Sequence, residues 1–237
     1  MRQESIRFGR GNALARILMI SLMAIVSIGG SLGLRTASAQ EIQTRAVIVH
    51  AATDLGKIEV HFNDDEVADE FEYGQQTEWI DVDPGTIEVT ISRDRALINY
   101  TVATAVYPVP AGNDYYLIIT DALILGGVFD KSPMLEGSAR LGITHASLDT
   151  PSVNVVATGD NADLATQLAF ARTSDVVEIP VGEYSAEVRD SATGDVLATA
   201  AGTAESGKVY QQILIGTPGD EDKPLTLLSL ETDATER

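Results

Sequence analysis

Two stretches of this chain share one layout. Residues 45–54 read RAVIVHAATD and residues 140–149 read RLGITHASLD. Each is an arginine, a short apolar run, a His-Ala pair and an aspartate four residues after the histidine. The copies stand about 95 residues apart, the length of a small domain. The repeat restricts the chain to folds built twice, with each copy of this stretch as an opening strand.

The intervening sequence alternates with period two. Lys57-Ile58-Glu59-Val60-His61-Phe62 and Thr86-Ile87-Glu88-Val89-Thr90-Ile91 each place one set of side chains on a buried face and the other in water. Turn signals separate the runs: Asp54-Leu55-Gly56, Asn63-Asp64-Asp65, Asp83-Pro84-Gly85 and Pro110 to Asp114. In Asp83-Pro84-Gly85 the proline presets φ and the glycine accepts positive φ, so the chain reverses there. The second copy keeps the order. Val153 to Val156 stands for Ile58 to Phe62, Phe170 for Tyr73, Gly182 for Gly85 and Tyr210 for Tyr115. The last strands are expected at Leu123 to Phe129 and Leu225 to Leu230. Glu66 to Phe71 and Ala162 to Phe170 fit either a turn or two of helix or a short strand crossing between sheets. Spacing and alternation together predict an all-β chain of two tandem antiparallel β-sandwich domains, immunoglobulin-like or transthyretin-like, over residues 43–131 and 138–231. The linker Lys131 to Gly137 is short, so the domains should touch or sit at a restricted angle.

The N-terminus is of another kind. Arg2, Arg7, Arg10 and Arg16 precede the uncharged run Ile17 to Ile28, and Ala37-Ser38-Ala39 follows. Basic, apolar, then small-x-small is the layout of a signal peptide over residues 1–39, a signal helix cleaved after Ala39. The alternative is an uncleaved anchor: counted to Leu34, the apolar stretch reaches about 18 residues, just enough to span a bilayer. The net charge is -19, and removing the basic leader makes it more negative. Such a surface repels phosphate backbones, which excludes nucleic acid as a partner; high negative charge also keeps a secreted protein soluble. The absence of cysteine removes disulfides, thiolate metal sites and a catalytic thiol.

The pair IVHAATD and ITHASLD, the turn-and-strand IPVGEYSAEV and the strand entries AGNDYYLII and ESGKVYQQILI resemble the DUF4397 family, a domain of unknown function. The resemblance runs over residues 43–230 in two copies. It implies a secreted or cell-surface β-sandwich module, usually in tandem, with no established activity and no functional residue to carry over. The first copy departs from the pattern by lacking a proline after Asp54, which Thr150-Pro151 keeps in the second.

The remaining chemistry is sparse. His50 and His145 end equivalent strands with Asp54 and Asp149 four residues on. The expected role is structural, with the ring bonded to a nearby carbonyl and the aspartate accepting backbone N–H groups. His61 has no counterpart and shares a strand face with Glu59. Three scattered histidines make a weak transition-metal case. The acid-rich loops Asn63 to Glu66, Gly159 to Asp163 and Gly219 to Asp222 lack the full spacing of a calcium loop and read as solvated turns. Tyr73, Trp79, Tyr107, Tyr115, Tyr116, Tyr184 and Tyr210 suit a sandwich core better than a sugar shelf, with Trp79, replaced by Val176 in the second copy, the one to watch for an exposed patch. Asn99-Tyr100-Thr101 fits a glycosylation acceptor. No motif of a hydrolase elbow, metalloprotease, phosphate loop or dinucleotide site occurs. The expectation is a secreted or cell-envelope, non-enzymatic interaction or structural module. Its partner is a protein or envelope component, it meets membrane only through an uncleaved leader, and it has no catalytic, cofactor or metal residue. The alternatives are a calcium- or glycan-binding module using loops at one end, or a carboxylate-based hydrolase.

Overall fold

The structure is a computed structural model that describes residues 43–95, 98–159 and 162–234; the expected signal helix lies outside them. The first repeat forms β1 (Arg45–His50), β2 (Ile58–Phe62), β3 (Asp65–Phe71), β4 (Ile80–Asp81), β5 (Gly85–Arg95), β6 (Ile98–Val109), β7 (Asp114–Ile119) and β8 (Ile124–Val128). The second forms β9 (Ser138–His145), β10 (Val153–Ala157), β11 (Asp163–Leu168), β12 (Val177–Pro180), β13 (Gly182–Asp190), β14 (Val196–Ala204), β15 (Lys208–Ile215) and β16 (Thr226–Asp233). Sheet β4-β1-β7-β8 faces sheet β3-β2-β5-β6, and β12-β9-β15-β16 faces β11-β10-β13-β14. The chain is thus two β-sandwiches of the same topology in tandem. No helix among the described residues is long and apolar enough to cross a membrane.

Both stretches left open between helix and strand are strands, β3 and β11. Each carries one residue at positive φ, Glu70 at 44° and Gln167 at 46°, with register slips against β2 and β10. These are matching β-bulges, which bend a strand without ending it. Pairing is antiparallel except that β1 runs parallel to β7 and β9 parallel to β15. The route from β1 to β7 passes through the opposite sheet, so no hairpin dictates their relative direction. Gly85 and Gly182 open β5 and β13 with φ of 143° and 126°, the positive φ expected of the Asp83-Pro84-Gly85 turn and its echo.

Each sandwich has its own apolar layer. Ile48, Ile58, Val60, Val89, Ile91, Leu117 and Ile119 fill the first; Leu141, Ile143, Val153, Val155, Val188 and Leu214 fill the second. A third layer lies between the sandwiches. Val47, Val49, Ala51, Tyr116 and Ile118 from β1 and β7 and the residue after β1 meet Ala146, Val209, Ile213, Ile215 and Leu230 from the second repeat. The linker joins this layer through Phe129 and Met134. Strands β1, β7 and β15 are therefore buried on both faces. The fold is four sheets deep with three apolar layers, and the described residues form one compact unit.

Candidate functional site

The repeated histidines are buried. His50 and His145 are both 0% exposed, each facing its own sandwich core and packed against Phe71 and Phe170. The amide of Ala52 donates to Nδ1 of His50, so Nε2 carries the proton and donates to the Gly56 carbonyl at 2.8 Å. His145 repeats the second bond, with Nε2 3.1 Å from the Pro151 carbonyl. Both rings pin the loop after the opening strand. Their aspartates do not. Among the described residues neither Asp54 nor Asp149 is the acceptor in its turn. Asp121, just past β7, takes that part by accepting from Thr53 N–H, the Thr53 hydroxyl and Asp54 N–H. A partner supplied from beyond the next-to-last strand leaves no local spacing to read.

Burial lowers both histidines from the ordinary 6.5. The native state keeps them neutral while the unfolded chain protonates. Their contribution is therefore complete above pH 6.5 and lost as pH falls toward the native values. Urea denaturation from pH 7 to pH 5 is expected to show falling stability, with net proton uptake on unfolding; a flat profile would refute a buried neutral pair.

A polar clasp ties the sandwiches beside the middle layer. Asp114 is 0% exposed. Its carboxylate accepts from Arg45 at 2.7 Å, Lys131 at 3.1 Å and the Thr232 hydroxyl at 2.5 Å. Burial alone would raise this carboxyl, but the bonds from Arg45, Thr232 and Lys131 outweigh it and hold the group below its ordinary 3.8. Arg45 also lies 4.4 Å over the Trp79 ring, and Trp79 packs on Phe129. Trp79 thus covers the edge of the middle layer rather than forming an isolated exposed patch. Arg140, equivalent to Arg45, holds the linker instead, donating to the carbonyls of Ser132 at 2.6 Å and Pro133 at 3.2 Å. At the other end of the interface Lys223 donates to the Thr53 carbonyl and lies 5.5 Å over Tyr73.

Of the acidic loops, Asp220 caps its own turn by accepting from Asp222 and Lys223 N–H. The Gly159 to Asp163 loop lies partly outside the described residues, as does the side chain of Asn99. An open cleft of about 590 Å³ gathers Asn63, Asp65, Asp81 and Asp83 at one side of the first sandwich.

Across the same sandwich the sheet edges part. An apolar slot of about 180 Å³ opens between β6 and β8, lined by Tyr107, Tyr115, Leu117 and Val128 with Ala46 beneath. Tyr107 bridges the gap, its hydroxyl donating to the Ile124 carbonyl at 2.6 Å. Gly127 is required nearby, since a Cβ there would overlap the Tyr116 ring. Val128 is 50% exposed at the slot mouth and Val106 59% exposed on β6. Both strands are sheet edges. In the second sandwich the equivalent strands, β14 and β16, approach each other.

No curated protein matches the chain. Among solved structures, the Bacillus anthracis TIE protein is similar at 10% identity over 81% of this chain and 43% of that one, with a TM-score of 0.25. A crystal structure of a Bacteroides uniformis protein named provisionally for cell adhesion is similar at 10% identity over 82% of this chain and 100% of that one, with a TM-score of 0.27. Neither superposition is close enough to carry an argument. The family model is decisive: matched over residues 45–156 and again over 139–237, the chain belongs to the domain of unknown function family DUF4397 and contains that domain twice.

Proposed function

We propose that this protein is a secreted or cell-envelope, non-enzymatic module that binds an extended segment of a partner protein along the open β6–β8 edge. The carrying observation is that edge itself: two edge strands, each paired on one side only, flank an apolar slot with Val128 exposed at its mouth. A free edge offers backbone hydrogen bonds to an added strand, and a slot gives its side chains a place to enter. The chain's charge of -19 favours a cationic segment over a second copy of the same chain. The basic, apolar and small-residue leader supports export. Among the described residues the two carboxyls that the fold clearly shifts, Asp114 and Asp130, are both held down, whereas a general acid needs to be raised.

The test is binding of the labelled mature chain to the envelope fraction of the producing cell. Saturable binding is expected, weakened about tenfold by Val128→Lys and unchanged by Val196→Lys, an equally exposed position on β14. Equal binding by Val128→Lys and wild type would remove the edge from the reading. Turnover of a peptide or glycan panel by the purified chain would overturn its non-enzymatic half.

A further inference from the structure

The outer face of sheet β3-β2-β5-β6 carries a second feature, away from the slot. Glu59 and His61 are two apart on β2 and so share a face. Glu66 on β3 is the register partner of His61. Strand pairing thereby adds a carboxylate from a neighbouring strand to a histidine-carboxylate pair. The Nε2 of His61 lies 3.7 Å from a Glu59 oxygen, and one ligand atom from each of the three residues lies within 4.8 Å of the others. Among the described residues this is the one such group of three or more. From these positions we infer that Glu59, His61 and Glu66 form a binding site for a divalent transition ion of the zinc type.

The donor set decides the class of ion. One imidazole and two carboxylates supply three ligands, leaving a fourth position for water, the pattern of an open zinc site. Tetrahedral bonds of ordinary zinc length set ligand atoms about 3.4 Å apart, so side-chain shifts of about an ångström complete the site. Calcium wants six to eight oxygens and has little use for an imidazole. Glu59 and His61 keep only 19% and 26% of their side chains exposed, so two of the three donors are held by the sheet before any ion arrives.

The second repeat supplies an internal comparison. On the same frame Asn154 stands for Glu59, Val156 for His61 and Asp163 for Glu66, with Val156 and Asp163 again register partners. The sandwich therefore folds without the donor trio, and no requirement of shape accounts for its presence on β2 and β3. The site differs in kind from an acidic run: its nitrogen donor sits at its centre, and its members come from two strands.

Isothermal titration of the mature chain with Zn²⁺, paired with the visible absorption of Co²⁺ as a coordination signature, tests the site. One ion per chain is expected, with affinity falling at least about tenfold in His61→Val and again in Glu66→Gln. His61→Val reproduces the residue of the second repeat, so its thermal melt without metal should match wild type. Ca²⁺ at the same concentration should not displace Zn²⁺. Absence of zinc binding, unchanged affinity in His61→Val, or displacement by Ca²⁺ would each overturn the proposal.

Discussion

Ile213→Ala, a change in the second sandwich, is expected to destabilise the first. Ile213 is fully buried, and its side chain lies in the layer shared by both repeats, opposite Val47, Val49 and Ile118. Truncation should cost about 3 kcal/mol, the usual loss for a buried isoleucine whose cavity closes only in part. The lone tryptophan, Trp79, packs on the same layer from the first repeat, so its fluorescence reports on that half while circular dichroism reports on both. If the middle layer is a true core, the two signals move together in urea, and Ile213→Ala shifts both midpoints equally. A Trp79 transition that stays at the wild-type midpoint would show two sandwiches unfolding independently.

The second large effect is expected at Asp114. Its side chain is 1% exposed, and Arg45 and Lys131 converge on it with 28% and 26% of their side chains exposed. Asp114→Ala removes the acceptor from three donors at once. Breaking a fully buried pair in this way costs several kcal/mol. Because Arg45 and Lys131 keep a route to water, about 2–3 kcal/mol is expected here. The native carboxyl lies below its ordinary 3.8, so as pH falls the unfolded chain takes up the proton first. The clasp's contribution is therefore complete above pH 3.8 and is lost as pH drops through the native value. Urea midpoints of wild type and Asp114→Ala should be well apart at pH 7 and converge toward pH 2. A gap that persists in acid would mean that Asp114 matters for packing and not for charge.

Much of this architecture is readable from residues alone. The doubled RAVIVHAATD stretch announces two similar units, and alternation in β2 and β5 announces half-buried strands. Strands β6 and β14 escape the reading because runs such as Thr101-Val102-Ala103-Thr104-Ala105 and Ala198-Thr199-Ala200-Ala201 offer little contrast between faces. The middle layer left a trace in Val47-Ile48-Val49 and Tyr115-Tyr116-Leu117-Ile118-Ile119, which do not alternate. Unbroken apolar runs mean burial on both faces, yet they cannot say what covers the second face. The clasp and the zinc-type trio were beyond reach for another reason. Asp114 meets Thr232 across 118 residues, and Glu66 joins His61 only once the β2–β3 register is set. The first depends on how the two sandwiches pack and the second on strand register, and no single stretch encodes either.

The middle layer has a consequence for how the two repeats are held together. Equivalent strands of the two repeats, β7 and β15, both enter this layer, with Ile118 and Ile213 in equivalent places. Like surface against like surface is the arrangement of a two-fold homodimer. The tandem sets such equivalent positions against each other within one chain. The points where the halves ceased to be interchangeable are visible in it: an aspartate at 114 against a valine at 209, and an arginine that grips that aspartate in one half but its own tether in the other.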